Sequence, residues 1–295
     1  MASIGREPAA LIAQPSRARV LQRRLFNYLG WGLCALSFLL LGGGMVWILV
    51  TVFLRGIGAL SFTVLTHITQ GVGGGLLNAI EGTVLLAFGG ILLSAPPGIA
   101  AGIYLSEFDD GLLVPIIRFF SDVLVGVPSI VIGYIGYVTL VAWLGWGFSV
   151  AAGSIALAII CLPYITRTTE LALRQVPRTL REAGLALGIT EGRVILHITV
   201  PMAMPGMVTG VLLAFAISMG ETAPLLYTAG WSNYLWDGRF THSPIGYLTY
   251  AIWAFITEPF SSAHALAYAA ALLITLFVLI VGVISRIVLE RHRVA

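Results

Sequence analysis

The stretch Glu182-Ala183-Gly184-Leu185-Ala186-Leu187-Gly188-Ile189-Thr190-Glu191-Gly192-Arg193-Val194-Ile195-Leu196-His197-Ile198-Thr199-Val200-Pro201 lies between two long apolar runs. Its local chemistry predicts a short exposed helix over 178–188. Pro177 suits a helix start, and Thr179 and Glu182 have the spacing of a capping box. Gly188 allows the left-handed turn that ends a helix. Thr190 is placed to cap the next segment, which leads through Pro201 and Pro205 into another apolar run. Ala183 and Ala186 are small enough for a partner surface to approach closely. The pattern is a compact polar knob on two helical arms, a shape able to pass rigid-body motion into those arms.

The arms belong in a membrane. Hydrophobic residues make up 58% of the 295 and charged residues 10%, where soluble domains carry about 25% charge. Crossing the ~30 Å hydrocarbon layer takes about 20 apolar residues in a helix. Six stretches meet that length: 30–54, 80–105, 116–141, 147–166, 206–228 and 266–288. The first is too long for a signal-peptide core and reads as an uncleaved anchor. The Gly-rich segment 56–79 and the segment 229–264, with Trp231, Trp236 and Trp253, are expected as outer connections.

Arginine sets the orientation. All 16 basic residues are arginine. Arg6, Arg17, Arg19, Arg23 and Arg24 precede the first span, which puts the N-terminus in the cytoplasm by the positive-inside rule. Arg167, Arg174, Arg178, Arg181 and Arg193 fall in the loop after the fourth span, and Arg286, Arg291 and Arg293 near the C-terminus. With Arg118 at the inner end of the third span, fourteen lie inside, against Arg55 and Arg239 outside. The expected fold is therefore an all-α membrane protein with six transmembrane helices and both termini cytoplasmic. It divides into a tail 1–29, a transmembrane domain 30–288 containing the loop 167–205, and a tail 289–295.

Several function classes are excluded. Without lysine the chain has no Walker A phosphate loop, so any ATP and Mg must bind on another chain. The arginines are spread through loops, which argues against nucleic acid. Cys34 and Cys161 sit in apolar stretches, where cysteine acts as a small hydrophobe. The five histidines lack ligand spacing, and no Ser, His and acid set suggests hydrolysis.

Glu221 is the acid deepest in a span, a costly placement that marks a pathway or gate by default. Pro224, three residues on, is expected to break that helix beside Ser218 and Thr222 and to expose backbone to a cavity. Arg118 and Asp122 are four apart on one helix face and are expected to pair, as are Glu170 and Arg174. Glu81 is expected to cap the second span, and Asp237 and Arg239 to form a solvated pair. Glycine in the second, third and fifth spans suits close helix contact.

The quoted stretch resembles the signature by which permease subunits of bacterial ABC importers engage their ATPase. That signature has Ala and Leu where this chain has Gly184 and Val200. Further strings, in the same order, are similar to the PstA-type permease family of bacterial phosphate importers. They are Asn78 to Thr83, Ile103-Tyr104-Leu105-Ser106-Glu107, Gly126-Val127-Pro128-Ser129-Ile130-Val131, Leu162 to Glu170, and Gly220-Glu221-Thr222-Ala223-Pro224-Leu225-Leu226. The resemblance covers about residues 70 to 290.

The resemblance implies a type I importer permease in the bacterial inner membrane that binds no cofactor itself. Its implied partners are a homologous permease (PstC), two copies of an ATPase (PstB) and an extracytoplasmic phosphate-binding protein. It assigns ATPase coupling to Glu182, Ala183, Gly184, Gly188, Ile198 and Pro201. Candidate pathway residues are Ser218, Glu221, Thr222, Pro224 and, through the family's Arg-Thr-Thr-Glu string, Arg167. One departure is Ile217, where the family usually carries arginine four residues before the glutamate. It keeps another oxyanion open as the substrate, because the fork of arginine suits a phosphate oxyanion. From a different class, an ion-coupled secondary transporter would leave the loop around Glu182 unexplained. A membrane enzyme would lack any catalytic cluster.

Overall fold

The computed structural model describes residues 17–108 and 111–291. The expectations for Arg6 and Arg293 fall outside those residues. Contacts divide the chain into two units, Met1–Thr51 and Val52–Ala295. In the first, the described residues form the leading part of helix α1 (Arg17–Ala59), which begins well before the expected span at residue 30. Its apolar side chains are exposed along its length, with Leu41 and Trp47 each about three-quarters open. Hydrocarbon is the solvent such a surface fits.

The second unit is built from helices in chain order. After α1 come α2 (Phe62–Thr66) and a two-stranded hairpin, β1 (Thr69–Gln70) antiparallel to β2 (Gly73–Gly74). Helix α3 (Leu77–Glu107) carries Pro96 and Pro97 in its interior. Helix α4 (Val114–Gly126) and helix α5 (Ser129–Gly136) follow, the latter running on as a π-helix over Tyr137–Trp143. Then come α6 (Val150–Arg174), α7 (Arg178–Ala186) and α8 (Glu191–Val194). A π-turn at Ile195–Thr199 joins α8 to α9 (Val200–Gly220). The short helices α10 (Ala223–Thr228) and α11 (Leu248–Phe255) precede the long α12 (Ser261–Arg291).

Among the described residues, five helices are long and apolar enough to cross a membrane: Leu21–Ala59, Leu77–Glu107, Val150–Arg174, Glu191–Gly220 and Ser261–Val288. The expected third span is not one straight helix. Val114–Gly126 and Ser129–Trp143 meet at 100°, and the count of six holds with this bent pair as one span. The bend has a local cause. Pro128 holds φ −57° and ψ 133° between the helices, and the residue before proline is pushed away from helical geometry. Hydropathy runs through the break undisturbed, so an apolar window does not register it.

Helices α3 and α6 form the most extensive pairing of the unit. A side-chain carbon at Gly102 would come within 2.5 Å of Thr169 Cβ, and one at Gly98 within 2.9 Å of Ile165 Cγ2. In a bilayer, where helices gain nothing by leaving lipid, such close approach supplies the attraction. At the far end, Val64, Leu76, Ala79, Leu248, Phe255, Ala263 and Leu266 make a separate apolar core around α11 and α12. Glu81 does not cap α3. It lies inside that helix, and its carboxylate accepts the backbone N–H of Trp236 at 3.1 Å. Its role is to tie the tryptophan-bearing segment to α3.

Candidate functional site

Two interruptions in the helices carry the candidate residues. The first is the loop between α6 and α9. Helix α7 forms where local chemistry predicts it, and Gly188 closes it at φ 76°, a conformation that favours glycine. The capping box does not form. Helix α7 starts at Arg178 with Pro177 at the cap and no side-chain cap bond, so Thr179 lies two residues past the cap position. Thr190 sits at the cap of α8, but its carbonyl rather than its hydroxyl takes the N–H groups of Arg193 and Val194.

The motif residues divide by exposure. Glu182, Ala183, Gly188 and Pro201 face outward, whereas Gly184 is buried and Ile198 half-buried. These last two meet: a side-chain carbon at Gly184 would lie 2.9 Å from Ile198 Cδ1 and 3.1 Å from Val194 Cγ2. Gly184 and Ile198 therefore hold the loop's two limbs together, while Glu182 and Ala183 remain for contact with something else. Leu185 and Leu187 are exposed beside them, Leu187 by 81%.

Where the loop joins the spans, carboxylates are surrounded by guanidinium groups. Glu170 is 2% exposed. It accepts from Arg118 at 3.2 Å, Arg167 at 3.0 Å and Arg174 at 3.1 Å. The Glu170–Arg174 pair is as expected. The Arg118–Asp122 pair is not: Arg118 of α4 reaches across to α6, and Asp122 stays exposed, lining a cavity of about 280 Å³ with Arg118 and Arg167. A carboxylate taken from water demands compensating charge more strongly than an exposed one, so the buried Glu170 takes the arginine. Arg167 lines the same cavity while engaged with Glu170. A second carboxylate, Glu107, pairs with Arg181 of α7 at 2.9 Å. Glu107 ends the string Ile103-Tyr104-Leu105-Ser106-Glu107, but its partner lies 74 residues away and no spacing rule links them.

The second interruption lies at the end of α9. Helix α9 stops at Gly220, and Glu221 is extended at φ −69°, ψ 134°. Pro224 occupies the opening of α10, with Thr222 before it. The break predicted from Pro224 is thus present, with Glu221 and Thr222 as its linker. The Glu221 carbonyl accepts the Thr249 hydroxyl at 2.9 Å, and Ser129 at the start of α5 lies beside the Glu221 side chain. The two breaks in the spans therefore meet. A side-chain carbon at Gly133 of α5 would lie 2.5 Å from Pro224 Cα, so the second halves of both broken helices pack backbone to backbone. Ser218 is buried and donates to the Phe215 carbonyl of its own helix at 2.7 Å, so its hydroxyl serves the helix. Ser129 stands in the string Gly126 to Val131 with no role attached to it; its position directly after a proline is the signal that points to it.

Among the described residues no cluster of His, Cys, Asp and Glu is placed to hold a metal ion. Asp237 and Arg239 pair in solvent at 3.7 Å as expected. The Arg239 backbone N–H, donating to the Asp237 carboxylate, holds that carboxyl below its ordinary value.

Comparison with known proteins agrees with this geometry. Residues 98–294 match the family described as binding-protein-dependent transport system inner membrane component. The phosphate transport system permease protein PstA 2 of Mycobacterium bovis is 45% identical over 294 residues, covering 99% of this chain and 98% of the relative. The phosphate transport system permease protein PstA of Yersinia pestis is 38% identical, covering 99% and 100%. Among solved structures, a chain of the MetNI methionine ABC transporter in an inward-facing conformation superposes with a TM-score of 0.63 at 17% identity. That match covers 74% of this chain and 95% of the other, and it shows a shared fold. With its several apolar helices the chain is a multi-pass membrane protein, and it belongs to the family of inner membrane components of binding-protein-dependent transport systems.

Proposed function

We propose that the chain is a membrane-spanning subunit of an ATP-driven importer of inorganic phosphate, and that α7 is its contact with a separate ATPase. The observation that carries the reading is the division of the motif on a compact knob. Gly184 and Ile198 brace it internally, and Glu182, Ala183 and Leu187 are left outward. Full-length similarity to permeases named for phosphate transport supports the substrate. The arginine-rich ends, with α7, face the cytoplasm of a bacterial inner membrane. A homologous permease completes the pore, two copies of the ATPase bind and hydrolyse ATP with Mg, and a phosphate-binding protein delivers substrate outside.

In this reading, closure of the ATPases displaces α7 as a rigid lever and tilts the spans between outward- and inward-open states. The break at Glu221 and Thr222 provides unwound backbone where a pathway crosses the bilayer. Glu221 is half-buried there, so its carboxylate either takes the proton of monobasic phosphate or pairs with an arginine of the second permease. Helix α9 carries no basic residue, and the positive charge for an oxyanion comes from that second permease.

Glu182→Lys tests the coupling. The expected result is normal membrane insertion and continued ATP hydrolysis by the purified complex, with phosphate uptake at background; normal uptake by this variant overturns the coupling role. Import of another oxyanion is the second reading, favoured by Ile217 at the position where the family resemblance places arginine. Uptake of labelled phosphate in competition with sulfate and molybdate separates the two.

A further inference from the structure

Helix α7 has little packing of its own, since Gly184 is its one buried residue. Gly184 packs on Val194 and Ile198, at the start of the span Glu191–Gly220, and the attachment of α7 to α3 and α6 is concentrated instead in Arg181. One terminal nitrogen of that guanidinium donates to Glu107 Oε2 at 2.9 Å and the other to the Leu173 carbonyl at 2.8 Å. Glu107 is the last residue of α3, and Leu173 lies one residue from the end of α6. A single planar group thus spans the ends of two helices, a use that suits the fork of arginine and not the point charge of lysine. An arginine at two helix C-termini also complements their partial negative charge. The pair is largely out of water, with side chains 22% and 8% exposed, and Ser106 holds the other Glu107 oxygen at 3.3 Å.

What lies around the pair sharpens its role. Cavities of about 350 and 300 Å³ flank it, one lined by Ser106, Arg178 and Glu182, the other by Phe108, Glu191 and Ile195, and both by Arg181 and Glu107. Open space on both sides means that side-chain packing does not fix the angle between α7 and the ends of α3 and α6. A second stitch joins the spans themselves: Arg174 donates to the Leu105 carbonyl of α3 at 3.1 Å while bonding Glu170. With the close glycine contacts at Gly98 and Gly102, α3 and α6 form one body.

We infer that Arg181 is the positioning residue for coupling. Acting through Glu107 and the Leu173 carbonyl, it makes α7 move as one with α3 and α6. It touches neither substrate nor nucleotide. Without it, α7 stays joined to its neighbours by backbone and by the Gly184 contact with Val194 and Ile198 but loses its link to α3 and α6, so ATPase movement does not reach those two spans. The inference rests on the reading of α7 as the ATPase contact.

The test uses the complete complex in proteoliposomes, with Cys34→Ser and Cys161→Ala removing the native thiols. A cysteine introduced at Gly220, where an added side-chain carbon meets nothing within 4 Å, reports the accessibility of the Glu221 break to a water-soluble maleimide. This readout does not depend on which oxyanion is carried. Trapping with ATP and vanadate is expected to change the labelling rate at least about 5-fold in the parent, the lower range of site-to-site coupling, and less than about 2-fold in Arg181→Met. ATP hydrolysis should continue in both. The charge swap Arg181→Glu with Glu107→Arg remakes the ion pair but not the donor to the Leu173 carbonyl, so it and Arg181→Lys should each restore part of the response.

A full response in Arg181→Met, or a swap no better than either single change, overturns the inference. If Arg181→Met fails to assemble, Glu107→Leu, which removes the acceptor at similar size, takes its place with the same outcomes. In parallel, a cysteine at Ala183 is cross-linked to the ATPase in the parent complex. No cross-link there overturns both the docking reading and this inference, whereas a cross-link with an undiminished response in Arg181→Met overturns the inference alone.

Discussion

The two interruptions of this helical unit are held by opposite means. Between α7 and the ends of α3, α4 and α6 the links are ionic: Glu107 and Glu170 between them take four guanidinium groups from three helices. At the Glu221 break they are close backbone contact and single neutral hydrogen bonds, with Gly133 against Pro224 and Thr249 on the Glu221 carbonyl. Water reaches the first region, so arginine heads 40–65% exposed still satisfy a buried carboxylate on one side. In hydrocarbon the same charges would be costly. The lesson is that the region transmitting force is stapled by long, directional links, whereas the region that must open is joined by contacts that separate without stranding a charge.

Each substitution below breaks or sharpens that contrast. The largest effect is expected for Glu170→Ala, which leaves Arg118, Arg167 and Arg174 without their shared carboxylate. It should lower stability by about 3 kcal/mol, the lower end for removing one partner of a buried pair because the arginine heads remain partly solvated. The thermal midpoint of the detergent-solubilised complex measures it, and an unchanged midpoint would show that the cluster does not staple α4 to α6. Next is Gly133→Val. Its side chain would drive into Pro224, costing about 1–3 kcal/mol and impairing transport more than assembly. Uptake at parental levels would mean that the two broken helices do not rely on close contact. Thr249→Val, which removes one neutral bond, should cost about 1 kcal/mol, read by the same thermal assay.

The smallest effect concerns Asp237, whose pairing is fully in solvent. Its carboxyl is held below the ordinary value by the Arg239 N–H. A depressed carboxyl contributes stability above its unfolded pKa and loses it as pH falls through the folded one. The contact should therefore persist through mildly acidic pH and fail below the usual aspartate range. The carboxyl carbon shift of Asp237 across an acid titration reports the midpoint, and a midpoint at or above the ordinary value would remove the contact from the account.

How far the sequence could be read depended on how far each signal reaches. Helix α7, its stop at Gly188 and the break before Pro224 were legible because they follow from chemistry within one or two turns. The 100° bend at Val127-Pro128 was equally local, but the spans were found by hydropathy, and an average over twenty residues passes over a single proline. The Arg118 pairing was misread because i, i+4 spacing identifies a neighbour on the same helix without weighing it against a more deeply buried acid on another. Arg181 with Glu107 was beyond any spacing argument. Within the recognised motif, the resemblance marked Gly184 and Glu182 alike, and burial separated a brace from a contact surface.

By itself the sequence determined that the chain lives in a bilayer, which ends carry the arginines, and that a polar knob interrupts the spans. Hydrophobic transfer and turn chemistry act on each residue where it stands, and they sum along the chain whatever the rest of the fold does. Only the tertiary structure decided which acid each guanidinium meets, where a span folds back, and which motif residues face inward. Those choices turn on desolvation and on distances between residues remote in sequence, and neither has a value until the helices are packed.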